Sequence, residues 1–137
     1  MNKISGPLLD RIDIQIEVTP VEYQKLGSDV KAESSDDIKK RVDNARKIQI
    51  DRYKEFGIYS NSELTPKLIE KYCKLDSKGS ELLKNAFEKL GLSARAYTRI
   101  LKVARTIADL DKKENIEMKH IAEAIQYRSL DRKYWKN

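Results

Sequence analysis

The stretch from Ser93 to Leu110, SARAYTRILKVARTIADL, contains the strongest structural signal in this sequence. Ser93 is a good N-cap residue, because its hydroxyl can accept a hydrogen bond from the first turn of a helix. Apolar residues follow at helical spacing on one broad face, made of Ala96, Ile100, Val103, Ala104, Ile107 and Leu110 and widened by Tyr97, Leu101 and Ala108. A helix that is apolar over so much of its circumference packs in the middle of a bundle. We therefore predict a helical bundle with this helix at its centre.

Cap residues and helical periodicity predict four further helices around this one. They cover roughly residues 35–56, 66–73, 77–90 and 116–125. Ser34 and Asp76 supply N-caps, whereas Gly57 and Gly91 end their helices. The predicted fold is thus mainly α, a bundle of about five helices.

A single strand is predicted ahead of the bundle. Residues Ile12 to Val18 alternate between apolar and polar side chains, and Thr19-Pro20 ends the run. A lone strand cannot satisfy its own backbone donors and acceptors. We therefore interpret it as an orphan β-strand from the end of an α/β core that lies outside this chain. In this chain alone, we expect the segment before Thr19 to be mobile or to pair through a non-native edge.

The organisation along the chain follows from these elements. We predict a remnant of the α/β core at residues 1–22, a linker at 23–34, a helical domain at 35–132 and a tail at 133–137. Among the 137 residues, lysine and arginine exceed the acidic residues by six, and the charges are dispersed. Such a mild excess permits contact with nucleic acid without requiring it. The single cysteine and the lack of a long apolar run favour a cytoplasmic protein with no membrane partner.

The central helix also carries a narrow polar stripe, which consists of Arg95, Arg99, Lys102 and Thr106. One interpretation is a solvated surface, or one that pairs with acids of a neighbouring helix. The other is an anion-facing stripe that binds phosphate or a nucleic-acid backbone. Arg95 lies in the first turn, where a cation opposes the helix dipole.

Neither Cys73 nor His120 is predicted to carry chemistry. Cys73 lies among apolar residues of a short predicted helix and has no nearby histidine in the sequence, which favours a buried structural thiol. His120 is the only histidine, and no group of metal-ligating residues surrounds it in the sequence. We therefore predict no metal site.

Three stretches together resemble a known family. They are Leu8-Leu9-Asp10-Arg11, Leu90 to Leu110 with Tyr72-Cys73-Lys74-Leu75 before it, and Ala122 to Arg128. They look like the C-terminal part of the magnesium-chelatase-like AAA+ ATPases of bacteria, the ComM/YifB family associated with competence. The resemblance covers nearly the whole chain and is weakest from Tyr23 to Ser34.

The resemblance implies a ring-forming ATPase, with hexamers expected, that binds ATP and Mg²⁺ between neighbouring subunits. The competence members are DNA helicases that help incoming single strands integrate. The partners implied are the rest of the AAA+ core, the neighbouring subunits of the ring and, for the full-length protein, DNA. The bundle would then be the helical lid of the AAA+ module.

The resemblance also implies roles for individual residues. Arg11 matches the arginine finger that reaches a neighbour's γ-phosphate, and Arg95 matches the sensor-2 arginine. Asp10 and Asp13 flank Arg11 and could hold it in place, and Arg99 could support the same site. The phosphate-binding Gly-x-x-x-x-Gly-Lys-Ser/Thr loop is absent from the sequence. We therefore expect this chain alone neither to bind ATP and Mg²⁺ nor to hydrolyse ATP, although the parent protein would be an ATPase.

Two other functions stay open at this stage. The chain could be a DNA-binding helical domain that uses the stripe of Arg95, Arg99 and Lys102. It could also be a structural docking domain. Salt-dependent DNA binding would favour the first alternative, whereas ATPase activity restored on mixing with an AAA+ core would favour the lid.

Overall fold

A computed structural model describes residues 5–27 and 31–128 of the chain. In these ranges the α-helices are α1 Gly6–Asp10, α2 Tyr23–Leu26, α3 Ser35–Tyr53, α4 Pro66–Tyr72, α5 Ser77–Leu90, α6 Ala94–Leu110 and α7 Met118–Gln126. Two 3₁₀ turns, Lys54–Phe56 and Asn61–Glu63, lie between α3 and α4. None of the helices in the described part is both long and apolar enough to cross a bilayer. The predicted tail, residues 133–137, and the last part of the predicted helical domain, residues 129–132, lie outside the described residues.

The five predicted helices are confirmed as α3 to α7, and local cap chemistry sets their bounds. The side chains of Ser34, Asp76 and Ser93 each accept a hydrogen bond from a backbone N–H three residues further on, at 3.1, 2.7 and 3.1 Å. Gly57 and Gly91 adopt left-handed conformations with φ of 69° and 56°. That conformation favours glycine, because other residues place a Cβ too close to the backbone.

Helix α6 is the centre of the bundle, as predicted. It packs against α3, α4 and α7, and α5 packs against α7. Ile100, Ala104 and Ala108 on α6 are fully buried, and the core includes Tyr53 from α3 and Ile121 from α7. Close packing of apolar side chains around one helix is the main stabilising term of such a bundle.

The predicted strand at Ile12 to Val18 is wrong for this chain. No strand forms in the ranges 5–27 and 31–128. Ile14, Ile16 and Val18 are 50%, 66% and 82% exposed. The alternating pattern reports a half-buried strand only when a neighbouring strand and a core are present. The described part of the chain provides neither a neighbouring strand nor a core at that position, so these apolar side chains stay uncovered.

A buried ionic cluster joins α3 to α6, and the sequence did not predict it. The Asp109 carboxylate accepts hydrogen bonds from Arg52 at 2.6 and 3.1 Å and from Asn61 at 3.0 Å, and it lies 3.1 Å from Arg105. Tyr53 donates to Asn61 at 2.6 Å. Burial disfavours the charge on Arg52, but its hydrogen bonds to Asp109 and Tyr53 outweigh that effect and raise its pKa. Arg52 therefore keeps its charge, and its hydrogen bonds to Asp109 fix α3 on α6.

Candidate functional site

The segment that carries Arg11 is a closed loop, which we call the Arg11 loop and define as residues 9–15. The Gln15 side chain donates to the carbonyl oxygen of Leu9 at 3.0 Å and so closes the loop. The backbone N–H of Gln15 donates to the carbonyl oxygen of Tyr127 at 2.9 Å. The loop is therefore hydrogen-bonded to the end of α7. This differs from the expectation of a segment that is mobile or pairs through a non-native edge.

Arg128 clamps the same loop from the bundle side. Its guanidinium donates to the Asp10 carboxylate at 3.0 Å, to the Asp10 carbonyl oxygen at 3.3 Å and to the carbonyl oxygen of Ile12. Arg128 is 2% exposed. These contacts lie on both sides of Arg11, so one buried cation fixes the backbone before and after it.

Two further contacts join the Arg11 loop to α6. The Ser93 hydroxyl, at the N-cap of α6, lies 3.4 Å from the Asp10 carboxylate. Arg99, on α6, forms an ion pair with Asp13. The loop therefore lies at the N-terminal end of α6, which is also the end that carries Arg95.

The Arg11 side chain itself is exposed. Among the described residues it makes no hydrogen bond or ion pair. The two flanking carboxylates are used elsewhere, Asp10 by Arg128 and Asp13 by Arg99. The direct contact between these aspartates and Arg11 that the sequence suggested is therefore not found. Instead, the aspartates anchor the loop backbone and leave the Arg11 guanidinium available.

An open groove of about 1220 Å³ runs along the polar side of α6. Its walls come from the Arg11 loop and the residues after it, from the second 3₁₀ turn and from α7. The cations that line it are Arg41, Arg95, Arg99, Lys102 and Lys119. The predicted stripe thus faces a cavity large enough for a ligand.

The cations of this groove are not equivalent. Arg99 pairs with Asp13, Lys102 donates to the carbonyl oxygen of Ser62 at 3.0 Å, and Lys119 pairs with Asp111 at 2.8 Å. Arg95 is exposed and has no such partner in the described part of the chain. It also lies in the first turn of α6, where a cation is unfavourable because of the helix dipole. Since no contact in the described part compensates for this charge, Arg95 is available to a ligand of the groove.

Near the junction of α6 and α7, the structure brings together Asp111, Glu117 and His120, with ligand atoms within 4.8 Å of one another. This cluster was not predicted from the sequence. His120 Nδ1 accepts a hydrogen bond from the Glu117 N–H at 2.9 Å, so Nε2 carries the proton and donates it to Asp111 at 2.8 Å. Lys119 occupies the same carboxylate oxygen. Nδ1 is therefore used in capping α7 and Nε2 in joining α7 to Asp111 at the end of α6, and the arrangement does not favour a metal ion.

Cys73 is buried, as predicted for a structural thiol. Burial raises its pKa to about 11. A thiol with such a pKa is protonated at neutral pH and is a poor nucleophile. Cys73 therefore serves the packing of the bundle.

Comparison with known families agrees with these features. The family model described as "Magnesium chelatase, subunit ChlI C-terminal" matches residues 32–128, and the model described as "Magnesium chelatase, subunit ChlI" matches residues 1–26. The chain belongs to the magnesium chelatase ChlI C-terminal family. The resemblance drawn from the sequence motifs is confirmed.

Curated relatives place the chain among bacterial proteins of this family. It is 44% identical to the competence protein ComM of Haemophilus influenzae and 41% identical to YifB of Escherichia coli, in both cases over 96% of this chain. It is 29% identical to Rv2897c of Mycobacterium tuberculosis over 93% of this chain. The matched parts are 25%, 26% and 25% of the relatives. The chain thus spans about a quarter of the length of the curated relatives it matches.

Proposed function

We propose that this chain is the C-terminal part of a competence-associated AAA+ ATPase that processes DNA, and that it supplies two arginines to an ATP site between subunits. The observation that carries the proposal is the pair Arg11 and Arg95. Both are exposed and have no partner in the described ranges, and polar contacts anchor their backbones at the same end of α6. The two family models, which meet between residues 26 and 32, support a division between a core remnant and a lid within the predicted linker.

Arg11 fits the role of an arginine finger. Phosphoryl transfer develops negative charge on the transferred group, and a planar cation supplied by a neighbouring subunit stabilises that charge. Such a finger must be exposed to reach a neighbour, and its backbone must be rigid so that little positional freedom is lost. The Arg11 loop meets both conditions, because its side chain is exposed while Gln15 and Arg128 hold its backbone.

Arg95 fits the role of a phosphate sensor on the lid. Its unfavourable charge at the start of α6 would be compensated by the phosphates of ATP. Arg99 supports it indirectly, because its ion pair with Asp13 keeps the Arg11 loop against α6.

The cations of this chain fit the phosphates of ATP, whereas the described carboxylates around the groove and the Arg11 loop are already engaged in contacts within the fold. The acidic groups Asp10, Asp13 and Asp111 are each paired with a cation of the fold. Mg²⁺ prefers oxygen ligands such as free carboxylates and phosphates. When bound by the core, Mg²⁺ would neutralise charge on the β- and γ-phosphates. This chain would contribute the positive charges of Arg11 and Arg95 to the phosphates.

The test is ATP hydrolysis by the full-length protein that contains this chain. Arg11→Ala should reduce kcat by a factor on the order of 10³ or more and leave ATP binding nearly unchanged, since the finger acts on the transition state. Arg95→Ala should also reduce turnover. The matched control is Arg46→Ala, which removes an exposed arginine on α3 away from the groove. Normal turnover in Arg11→Ala or in Arg95→Ala would refute the role of that residue.

The alternative of direct DNA binding by the α6 stripe receives less support. Two of its three cations are used, Arg99 by Asp13 and Lys102 by the Ser62 carbonyl. Only Arg95 among them lacks a partner in the described part. We expect this chain to bind DNA weakly and without specificity, with a Kd near 10⁻⁴–10⁻⁶ M at physiological salt. Fluorescence anisotropy at two salt concentrations tests this. Sub-micromolar binding that is lost in Arg99→Glu and Lys102→Glu would make DNA binding the better interpretation.

A further inference from the structure

We propose that Arg128 is the positioning residue for Arg11, so that the end of α7 determines whether the arginine finger is presented to the neighbouring subunit. This inference rests on the proposed function of Arg11. It assigns to the bundle a second task besides carrying Arg95. Arg128 does not need to touch the nucleotide for this task, since it acts through the backbone of the Arg11 loop.

The contacts of Arg128 bracket Arg11. One side of the bracket is Asp10, which accepts at its carboxylate and at its carbonyl oxygen, at 3.0 and 3.3 Å. The other side is the carbonyl oxygen of Ile12. The guanidinium therefore fixes the direction in which the Arg11 side chain leaves the loop.

The position of Arg128 follows from the end of α7. Tyr127 is the C-cap of that helix, and the Arg128 N–H donates to the carbonyl oxygen of Ile125 at 3.0 Å. The Arg128 side chain is 1% exposed, so its charge is almost fully desolvated. Burying a cation is costly unless it is paired and hydrogen-bonded. The Arg11 loop provides the carboxylate and carbonyl oxygens that compensate for this burial.

An arginine suits this position better than a lysine would. Its guanidinium presents several donors in a rigid planar fork and can hold two separated backbone segments at once. An ammonium is a point charge on a flexible stem, and it would keep the charge without fixing the geometry. Arg128→Lys therefore tests positioning while it retains the buried charge.

The consequence is that Arg11 and Arg95 belong to one unit. Asp10, which Arg128 holds, also lies 3.4 Å from Ser93, the N-cap of the helix that carries Arg95. A movement of α7 relative to α6 would therefore change the position of Arg11. Both arginines would meet nucleotide at a subunit boundary. The arrangement of α6 and α7 within the lid would therefore determine how Arg11 is presented to the neighbouring subunit.

Mixed rings of the full-length protein separate this role from a general effect on folding. A donor subunit has an intact Arg11 but cannot bind ATP, because the lysine of its phosphate-binding loop is replaced by alanine. An acceptor subunit binds ATP but carries Arg11→Ala. Neither should hydrolyse ATP alone, whereas the mixture should be active where a donor finger meets an acceptor site.

Arg128→Lys is then placed on one subunit type at a time. On the donor it should lower the ATPase rate of the mixture by about 10²-fold, as expected for a misplaced reacting group. On the acceptor, whose finger is already absent, it should leave the rate and the KM for ATP unchanged. Arg46→Lys on the donor is the matched control and should have no effect. Thermal unfolding of each variant measures the loss of stability, which is the same for both subunit types.

Each result decides the matter. An equal loss of ATPase rate from both placements of Arg128→Lys would make Arg128 a purely structural residue. An unchanged rate with the donor placement would show that Arg128 does not position Arg11. Either result overturns the inference. A loss from the acceptor placement alone would do the same. If the unsubstituted mixture of donor and acceptor is inactive while the wild-type ring is active, the finger role of Arg11 itself fails. The two proposals can therefore fail separately.

Discussion

The bundle formed by α3 to α7 and the N-terminal segment of residues 5–27 are built in opposite ways. The bundle buries its large apolar side chains, such as Tyr53, Ile100 and Ile121, and its central helix contacts three others. The N-terminal segment exposes Ile16 and Val18 and is held by hydrogen bonds and ion pairs from bundle residues. The difference shows that the bundle contains its own core, whereas the segment is attached to a core that it does not form.

The attachment is local and mainly polar, with Leu9 of the Arg11 loop as a buried apolar side chain beside the polar contacts. The contacts that hold the segment act on the Arg11 loop, residues 9–15, whereas the apolar residues after it are uncovered. Polar clamps of this kind fix geometry more than they add stability, since the net free energy of a hydrogen bond is only about 0.5–1.5 kcal/mol. We infer that the clamp serves presentation of Arg11 and that the exposed apolar side chains are suited to a contact outside this chain.

The largest loss of stability is expected from Asp109→Ala. This change leaves the buried guanidinium of Arg105 and the half-buried guanidinium of Arg52 without their carboxylate. Breaking a buried ion pair by removing one partner lowers the free energy of unfolding by about 3–5 kcal/mol. Urea denaturation followed by circular dichroism would measure it in this chain.

Two companion variants sharpen the result for Asp109. Asp51→Ala removes an exposed acid from α3 and should change stability by less than about 0.5 kcal/mol. Asp109→Asn keeps the shape of the side chain, and its loss of stability should lie between those of Asp109→Ala and Asp51→Ala. If Asp109→Ala were as stable as Asp51→Ala, the ionic cluster would not contribute to holding α3 on α6.

A comparable but smaller loss is expected from Ile100→Ala at the centre of the bundle. Ile100 is fully buried, so the truncation removes apolar contacts and leaves a cavity, at a cost of about 2–5 kcal/mol. Ile50→Ala is the matched control, because Ile50 is 44% exposed on α3. The melting temperature should drop sharply for the first and little for the second. Equal melting temperatures would contradict the central placement of α6.

The sequence predicted the bundle well because the signals for it are local. Caps such as Ser34 and Ser93 act within one turn, and the apolar face of α6 is visible in one window of residues. The cluster around Asp109 was missed because Arg52 lies 57 residues away and looks like a surface charge. One signal could have revealed it: Arg105 and Asp109 are four residues apart on the central helix, whose broad apolar face makes burial of such a charged pair expected.

The site was only partly predictable for the same reason. Motifs identified Arg11 and Arg95, but the clamp joins Arg128 to residues 116 and 118 positions earlier in the chain. Periodicity cannot reveal such a contact. The strand at Ile12 to Val18 was wrongly predicted because alternation reports a pattern of side chains and not the presence of a partner strand. That prediction depended on a sheet outside this chain.

A smaller loss of stability is expected at low pH, through Asp111 at the junction of α6 and α7. Hydrogen bonds from Lys119 and His120 lower the pKa of Asp111 from 3.8 to about 2. A carboxyl with a depressed pKa stabilises the fold above its unfolded pKa, and this contribution is lost as the pH falls through the folded value. The wild type should therefore be more stable than Asp111→Asn at neutral pH, and the difference should vanish between about pH 4 and pH 2.

Denaturation midpoints of the two proteins across that range would measure this loss. Asp51→Asn is the control, because Asp51 is exposed and no cation is recorded against it in the described part. Its difference from the wild type should stay constant over the same range. A constant difference for Asp111→Asn as well would show that the ion pairs at this junction do not stabilise the fold.

The smallest effect on stability is expected from the exposed apolar side chains of the N-terminal segment. Ile16→Ala and Val18→Ala should each change the stability of this chain by less than about 0.5 kcal/mol, because both side chains are exposed. In the full-length protein the same changes should cost about 1 kcal/mol or more, since we propose that a core covers these side chains there. Parallel denaturation of the two proteins would measure both values. A large loss in this chain would mean that the segment already lies against a core of its own. Equal small losses in both proteins would mean that no core covers it in either, and the segment would then serve only to carry Arg11.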